Sequence, residues 1–469
     1  MSILRKKPIP KTPDESKLTR NLTTFDLVFL GVGAIVGTGI FIATGQGAQA
    51  WAGPGLSLSF LIAAFAVMLS GLIFAEYASR IQAIGGPYAY LYSVFGEFFG
   101  WLGGFFVIVE FVLAGSSVAT GWSGYVRGFL GDIGIHLPRL ISSASNFEDG
   151  SFGFDLIAMV VAFIVTVWVA QDAKEVLRFN SVIVIIKLAV IVLFILVGVF
   201  FIKPENWMPF MPYGFIGSEN GKGVFAGAAL VFFAYLGFES ISMSVEEAIN
   251  PKKTIPRGIL LSIALTTVLY ILVTVVLTGM VNYKELGVDD PVAFAMRMVH
   301  QPLVASIISI VAILTLLTVL VSMTYALSRL VYAIAKDGLL PKYLTQVNDK
   351  HHTPQNATFT AGFIGLIFAG FVPLSTLMQV VNMVTLTYLI LMAIGILVLR
   401  KGEKEAPEGV FKTPLVPIVP ILSVIISAYL MFQLSLLTWL IFGGLIVIGV
   451  LIYLLYGYKH SKLANVESE

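Results

Sequence analysis

The chain is divided by twelve apolar stretches, each about as long as the 20 residues that a helix needs to cross the hydrocarbon core of a bilayer. They lie near residues 24–50, 55–79, 98–129, 154–170, 180–202, 224–243, 258–281, 304–334, 357–373, 375–399, 414–434 and 437–457. Only 12% of the 469 residues are charged and the mean hydropathy is +0.91, whereas soluble domains are about 25% charged. The pattern excludes a water-soluble fold and predicts an all-α polytopic membrane protein with twelve transmembrane helices.

Lysine and arginine are distributed unevenly between the two sides when both chain ends are placed in the cytoplasm. Of the 29 basic residues, 22 then lie on the cytoplasmic side, six lie on the other side and one, Lys187, lies within a span. Cytoplasmic loops of membrane proteins are enriched in these residues. The sequence therefore predicts a multi-pass protein of the cell membrane with cytoplasmic N- and C-termini.

Helix 1 contains the segment GVGAIVGTGIF, residues 31–41, with four glycines within nine residues. Each glycine costs about 1 kcal/mol relative to alanine in a helix interior, and opened backbone at membrane depth is tolerated only where it is buried in protein or lines a cavity. We therefore expect helix 1 to be broken, with a second half that begins after Gly39 and directs its positive dipole end at a carboxylate. Close packing of small residues against another helix is the alternative explanation.

Helix 6 carries a second candidate break. Its segment FFAYLGFES, residues 232–240, places Gly237 within an apolar span and Glu239 directly after it. Helix 6 is the fifth helix after helix 1. Interrupted spans in equivalent positions of two halves are typical of inverted-repeat transporters. The sequence therefore predicts a five-plus-five inverted repeat. The predicted parts are a cytoplasmic tail at 1–22, helices 1 to 5 at 23–202, helices 6 to 10 at 203–399, and helices 11 and 12 with the cytoplasmic C-terminus at 400–469.

Three ionisable residues lie within the predicted spans. Lys187 is about 10 Å into the bilayer from the start of helix 5, and charges at such depth are costly and often mark an ion or proton path. Its aliphatic stem offers the alternative that the amine reaches the interface. Glu110, in the middle of helix 3, could face a substrate pocket, stabilise the break in helix 1 or bind a cationic side chain of the substrate. The alternative is a protonated group that is hydrogen-bonded within the bundle. Glu239 is a candidate for an inner gate.

Several segments together carry a family resemblance. They are GVGAIVGTGIF (31–41), NWMPFMPYG (206–214), FFAYLGFES (232–240), EEAINPKKTIPRGI (246–259) and SRLVYAIAKDGLLP (328–341). In combination these segments resemble the amino acid–polyamine–organocation superfamily, and within it the bacterial relatives of the cationic amino acid transporters. The resemblance implies a five-plus-five inverted repeat with two extra C-terminal helices, alternating access, and an amino acid held between the broken helices 1 and 6.

The same resemblance implies roles for the backbone at both breaks. The substrate carboxylate would meet the amides of Thr38 and Gly39, in a turn shaped by Ile35 and Gly37. The substrate ammonium group would meet the carbonyl of Ile35 and carbonyls at the break in helix 6. The residues implied at that second break are Phe233, Ala234, Leu236 and Gly237.

Three side chains also receive roles from the resemblance. Phe233 would be an aromatic gate over the substrate, although a phenylalanine in a membrane helix more often faces lipid or the core. Lys187 matches the helix 5 lysine of proton-coupled members, which stands where sodium-coupled relatives bind their cation. Leu320 would form the floor of the side-chain pocket, and its bulk would favour small or medium neutral amino acids over arginine.

The leading hypothesis is a proton-coupled amino-acid symporter that is driven by a proton gradient and needs no cofactor. An exchanger of the same fold is the nearest alternative. A channel needs a ring of pore-lining polar groups, an enzyme needs clustered catalytic side chains, and a sensor usually needs a signalling domain, so these are distant alternatives. The absence of Cys, the five His residues and the net charge of +2 favour neither a metal site nor nucleic-acid binding. Besides the amino acid and the bilayer, a small single-helix membrane protein is a candidate partner.

Overall fold

The computed structural model of the chain describes residues 5–6, 21–81, 85–145, 150–171, 174–216, 221–244, 247–348, 353–402 and 410–463. The predicted tail at 1–22 and the end of the chain after residue 463 lie largely outside these ranges. Within them the regular structure is helical and no β-strand is present. The prediction of an all-α protein is therefore confirmed.

The longer helices follow one another with few irregular segments between them. They are α1 (Thr24–Ile35), α2 (residues 39–52), α3 (Leu56–Arg80), α4 (Pro87–Phe95), α5 (Glu97–Asp132), α6 (Leu156–Gln171), α7 (Lys174–Gly198), α8 (Val224–Val231), α9 (Ser240–Met243), α10 (Pro251–Met280), α11 (Pro291–Met298), α12 (Pro302–Lys336), α13 (Gln355–Phe371), α14 (Leu374–Gly402), α15 (Ile418–Phe432) and α16 (Leu436–Ile452). Shorter helical turns lie at Gly53–Gly55, Arg139–Ser142, Val199–Phe201, Pro204–Trp207, Phe232–Tyr235, Tyr283–Glu285, Lys342–Thr345, Tyr453–Gly457 and Tyr458–His460.

In the described part of the chain, eight helical segments are long and apolar enough to cross a membrane. They are Gly39–Arg80, Glu97–Asp132, Val182–Phe201, Val224–Ser242, Pro251–Met280, Pro302–Lys336, Leu374–Lys401 and Leu436–His460. The apolar helices α1, α6 and α15 are shorter, and the segment Gly39–Arg80 joins part of the predicted helix 1 to helix 2. The protein is thus polytopic, whereas the number of twelve spans and the cytoplasmic position of both ends stay predictions.

Local signals explain where several helices begin. Thr23 and Asp26 form a capping box at α1, in which the Asp26 carboxylate accepts a hydrogen bond of 2.8 Å from the Thr23 amide. Helices α4, α10, α11 and α12 each begin with proline. Proline suits the first helical position because its missing N–H would have no partner there and its φ is already helical.

The centre of the bundle is formed by pairs of helices from the two halves of the chain. The most extensive contacts join α5 to α12 and α3 to α10, and α6 packs against α13. The two interrupted regions are held by these central helices, since α1 packs against α10 and α8 packs against α3. The breaks in helices 1 and 6 are therefore fixed on the long helices of the opposite half.

An ion-pair network closes one end of the bundle. Arg297 on α11 lies 2.6 Å from the carboxylate of Asp290 and 3.4 Å from that of Asp132 at the end of α5. Asp290 is a loop residue whose side chain is only 7% exposed. Burial raises the pKa of Asp290 to about 6, although Arg297 opposes the rise. The loss of hydration therefore outweighs the ion pair at this carboxyl group.

We expect Asp290 to make stability depend on pH. The pKa of Asp290 in the native protein is raised above the ordinary value of 3.8. Its contribution to the free energy of unfolding is therefore fully present below a pH of about 4 and is lost as the pH rises through about 6. Asp290→Asn removes this titration. The melting temperature of this variant minus that of the wild type, measured in detergent, should therefore rise across this window and then level off. A difference that is the same at every pH would contradict the prediction, and Glu285→Gln, at an exposed position of the same loop, is the control.

Candidate functional site

Helix 1 is interrupted between α1 and α2. Val36, which follows the last residue of α1, is extended with φ −76° and ψ 100°, and continuous helical backbone resumes at Gly39. Amides at the start of a helix have no partner within it, so the backbone at Thr38 and Gly39 offers donors suited to an anion. Gly37 faces α12, where an added Cβ would lie 3.3 Å from Val319. The second half of helix 1 therefore starts inside the protein.

Helix 6 is interrupted between α8 and α9. A turn of 3₁₀-helix, Phe232–Tyr235, follows α8, and Gly237 then adopts a φ of +110° that favours glycine. Both carboxylate oxygens of Glu239 accept a hydrogen bond from the Gly237 amide, at 3.1 Å. Phe233 lies within the 3₁₀ turn and is 5% exposed, so it is a buried residue. Glu239 thus stabilises the backbone turn as well as lying beside it.

A side chain from α14 binds the end of α8. The amide nitrogen Nδ2 of Asn382 donates hydrogen bonds to the carbonyls of Ala229, at 2.7 Å, and Leu230, at 2.9 Å. The last carbonyls of a helix lack partners within it, and such groups are costly to leave unpaired in a membrane. Asn382 therefore compensates for the break in helix 6.

The two breaks are in direct contact with each other. A Cβ added to Gly39 would lie 2.3 Å from the Cβ of Ala234, and one added to Gly237 would lie 2.8 Å from the carbonyl oxygen of Ala34. Each break thus brings one glycine against the backbone or the smallest side chain of the other. This reciprocal approach explains why glycine stands at both positions.

Tyr270 on α10 connects the breaks by hydrogen bonds. Its hydroxyl lies 2.9 Å from the carbonyl oxygen of Ile35 and 2.7 Å from that of Ala234, and its ring is fully buried. A hydroxyl has one proton, so the two carbonyls share one donor and retain capacity for another. Tyr270 could not be recognised from the sequence, because nothing in helix 7 indicates that it reaches both breaks.

We expect Tyr270→Phe to lower transport about tenfold while the protein still folds. The substitution leaves two buried carbonyls without their shared donor, at a cost of about 1–3 kcal/mol. Uptake by reconstituted protein, with purified monodisperse sample as the check on folding, measures the effect. Tyr429→Phe, at a partly buried ring that packs on Phe225, is the matched control and should leave uptake unchanged. Equal rates for the two variants would show that the bridge is dispensable.

Lys187 on α7 reaches the break in helix 1. Its Nζ donates hydrogen bonds to the carbonyls of Gly33, at 2.6 Å, and Val36, at 2.7 Å, and the residue is 1% exposed. The close approach of α7 needs glycine, since a Cβ on Gly33 would lie 2.8 Å from Val184. The amine is thus directed at the opened backbone, not at the membrane interface.

A cavity with about 870 Å³ of empty space adjoins both breaks. We call it the break cavity, and its walls come from α1, α5, α12 and the segment after α8. Of the residues singled out from the sequence, the ones that line it are Glu110, Leu236, Gly237 and Glu239. Ile35, Gly39 and Ala234 are buried where the breaks meet. The structure therefore brings the predicted backbone positions together where the breaks meet, and it places Glu110, Leu236, Gly237 and Glu239 on the wall of the break cavity.

Leu320 lies outside the lining of the break cavity. It lines a smaller neighbouring space with Phe111, Gly115 and Ser116, and Phe111 also belongs to the wall of the break cavity. The residues of α12 that line the break cavity include Val319, one position earlier. Leu320 can therefore affect a bound molecule only through Phe111 or through a change of shape.

Glu110 belongs to a polar group that the sequence analysis recognised only in part. Its carboxyl group interacts with Thr385 and Tyr388 of α14 and with Glu239. Among the described residues, Oε2 of Glu110 and the hydroxyls of Thr385 and Tyr388 have no well-formed hydrogen bond. The segment 382–388 carries polar residues in an apolar helix, and this signal could have indicated that α14 faces the site.

These features define a class of protein: a membrane transporter in which two broken helices meet over a cavity. The family model "Amino acid permease" matches residues 22–454. The chain is 43% identical to the methylthioribose transporter of Bacillus subtilis over 98% of its length and 99% of that protein, and 41% identical to the branched-chain amino acid permease BcaP of the same organism over the same shares. It is 32% identical to human cationic amino acid transporter 4, over 86% of this chain and 64% of that protein. The chain therefore belongs to the amino acid permease family and is not an enzyme.

Proposed function

We propose that the protein is a proton-coupled symporter that imports L-amino acids by alternating access, with the substrate bound between the breaks in helices 1 and 6. The observation that carries this proposal is the contact between the two breaks. It places helix-start amides at Thr38 and Gly39 close to the carbonyls of Ile35 and Ala234. An α-amino acid has an anionic and a cationic group on one carbon, and such a pair of helix ends suits both.

The pattern of helix packing supports the predicted inverted repeat. If helices 1 to 5 correspond to helices 6 to 10, the contact of α1 with α10 corresponds to that of α8 with α3. Exchanging the two halves leaves three contacts unchanged, namely α3–α10, α5–α12 and α6–α13. It converts the contact α14–α5 into α7–α12, which is also present. The short helices α4 and α11 also occupy equivalent places between the second and third helix of each half. Alternating access by one half rocking against the other follows from such symmetry.

Proton coupling is assigned to Lys187, with Glu239 at the inner gate. A buried amine that binds two carbonyls of the opened backbone holds helix 1 against α7 through its hydrogen bonds. Its protonation state would alter that attachment, because a neutral amine has one donor fewer and no charge. The proton gradient would then be the driving force, and no cofactor is required.

The substrate class rests on both relatives and site. BcaP is named for branched-chain amino acids. We propose that Leu320 favours neutral substrates over arginine only indirectly, through Phe111, with which it lines the smaller space beside the break cavity. The methylthioribose transporter is the relative with the higher identity of the two from Bacillus subtilis, so an uncharged thiosugar is the second candidate. The two candidate substrates differ in their charged groups. An amino acid carries a carboxylate and an ammonium group that can bind the two helix ends, whereas methylthioribose carries neither.

Counterflow into proteoliposomes tests the substrate class. Vesicles are loaded with one unlabelled compound and the uptake of labelled L-leucine, L-alanine, L-arginine or methylthioribose is followed. We expect neutral L-amino acids to be taken up and to compete with one another, and arginine and methylthioribose to be poor substrates. Uptake of methylthioribose alone would overturn the amino-acid assignment. Uptake that requires amino acid inside and ignores a proton gradient would instead favour an exchanger.

A further inference from the structure

A second polar cavity lies at the opposite end of the path from the break cavity. It contains about 930 Å³ of empty space, and we call it the Arg127 cavity after the cation in its wall. The other charged residues that line it are Asp155, just before α6, and Asp289, in the loop before α11. Gln46, Gln49 and Ser375 add neutral polar groups. The cavity thus presents both signs of charge to whatever enters it.

Three separate chain segments place the two cavities on opposite sides of the breaks. In helix 1, the break cavity is lined by Leu30, Gly33 and Ala34, and the Arg127 cavity is lined by Gln46, Gln49, Ala50 and Trp51. In helix 6, residues 236–240 line the first and Leu230 lines the second. In α5, Glu110, Phe111 and Ala114 line the first, and Thr120 and Arg127 line the second. A molecule that moves from one cavity to the other must therefore pass the breaks.

Among the described residues, one oxygen of the Asp155 carboxylate has the nearby charge of Arg127 but no hydrogen-bond donor. Oδ1 accepts hydrogen bonds from the Ser123 hydroxyl, at 2.6 Å, and from the Ala158 amide, at 2.9 Å. Oδ2 has no hydrogen bond within the described ranges, and its distance of 3.8 Å from Nη2 of Arg127 is too long for one. The residue is fully buried. A buried carboxylate oxygen that faces a cavity without a donor is a place for a cationic ligand group.

Arg127 has a partner that a ligand can replace. Its Nη2 lies 3.0 Å from the carboxylate of Asp289, whose side chain is 54% exposed, and Nη1 donates to the carbonyl of Ser142. The Asp289 carboxylate is open to water, which weakens its hold on Arg127 and hydrates it when it is displaced. A ligand carboxylate can therefore take the place of Asp289 at small cost, while Ser142 continues to position the guanidinium.

We propose that the Arg127 cavity is a second binding site for the transported amino acid, in which Arg127 binds the α-carboxylate and Asp155 binds the α-ammonium group. The cation and the buried anion stand side by side, as the two groups of a zwitterion do. This inference rests on the proposed amino-acid transport. The second site lies on the other side of the breaks from the break cavity. The transported amino acid occupies it before or after it occupies the site between the breaks.

The chain contains no cysteine, so single introduced cysteines can report on each cavity. Ser375→Cys reports on the Arg127 cavity and Ser322→Cys on the break cavity. The protein is placed in lipid nanodiscs, and the rate of reaction with a small thiol reagent is measured against L-leucine concentration. Glu285→Cys, at an exposed loop position outside both linings, is the control whose rate leucine should not change. We expect leucine to slow the reaction at both reporters.

Variants of the charged residues then separate the two sites. Arg127→Gln and Asp155→Asn should raise the half-protecting leucine concentration at Ser375→Cys at least about tenfold and change that at Ser322→Cys less than about twofold. Asp289→Asn should lower the half-protecting concentration at Ser375→Cys, because it removes the competitor for Arg127. The opposite signs of these effects distinguish loss of a ligand group from general damage to the fold.

Two analogues of leucine that each carry a single charge complete the test. 4-Methylpentanoate lacks the ammonium group of leucine and 3-methylbutylamine lacks its carboxylate, so neither should protect Ser375→Cys at concentrations where leucine does. Equal protection by either compound, unchanged protection in Arg127→Gln, or a parallel loss at both reporters would overturn the second site. If leucine protects Ser322→Cys alone, the second site is wrong and the proposed function stands. If it protects neither reporter, both are contradicted.

Discussion

Gly237→Ala is expected to abolish transport, with uptake at least about 100-fold below wild type, which corresponds to about 3 kcal/mol. Gly237 has a φ of +110°, where a side chain is strained, and its new Cβ would lie 2.8 Å from the carbonyl oxygen of Ala34. The strain costs about 1–3 kcal/mol, and the contact forces the breaks apart. Gly39→Ala should act in the same way, because its Cβ would overlap the Cβ of Ala234 at 2.3 Å.

The matched control for both glycine variants is Gly443→Ala. An added Cβ at this exposed position of α16 meets nothing within 4 Å, and alanine is the better helix former by about 1 kcal/mol. Initial uptake of labelled substrate into proteoliposomes, normalised to the amount of monodisperse protein, should be unchanged in Gly443→Ala. Wild-type uptake by Gly237→Ala would show that contact between the breaks is not needed for transport.

Lys187→Met should eliminate concentrative uptake while leaving exchange across the vesicle membrane measurable. Methionine keeps the apolar stem but removes the donor for the carbonyls of Gly33 and Val36, and unsatisfied buried groups cost about 1–3 kcal/mol each. If the amine carries the proton, the variant equilibrates substrate without accumulating it. Accumulation is measured as the ratio of inside to outside substrate under an inward proton gradient.

Lys203→Met is the control for the lysine variant, since Lys203 is an exposed loop residue after α7. Its accumulation ratio should match that of the wild type. If Lys187→Met also accumulates substrate to the wild-type ratio, Lys187 has a structural role at the break and another group carries the proton.

The helical fold and the two interruptions were accessible from sequence because each leaves a local signal. Long apolar windows indicate membrane helices, and glycine within such a window indicates opened backbone, as at residues 36–38 and 236–239. The number of spans was less accessible. The second part of helix 1 and helix 2 fall in one helical segment of 42 residues, although Gly53 at their junction has a φ of +61°, outside helical backbone. The number of twelve spans therefore stays a prediction.

Residues that act across the bundle could not be predicted in the same way. Nothing in helix 7 marks Tyr270. The polar residues at 382–388 indicate that helix 10 faces the site, but only tertiary packing decides that Asn382 binds the end of α8 and that Tyr388 meets Glu110. Leu320 shows the converse limit, because a motif alignment fixes a position along α12 but not the direction of its side chain. The small single-helix partner stays a prediction.

Proton flux caused by the substrate shows directly whether an amino acid that moves through the two breaks carries protons with it. Proteoliposomes that contain a pH-sensitive dye are given external L-leucine without an imposed proton gradient, with potassium and valinomycin to clamp the membrane potential. If leucine and protons enter together, the lumen acidifies when leucine is added, and Lys187→Met prevents this change. Entry of labelled leucine at the wild-type rate without acidification would contradict proton coupling.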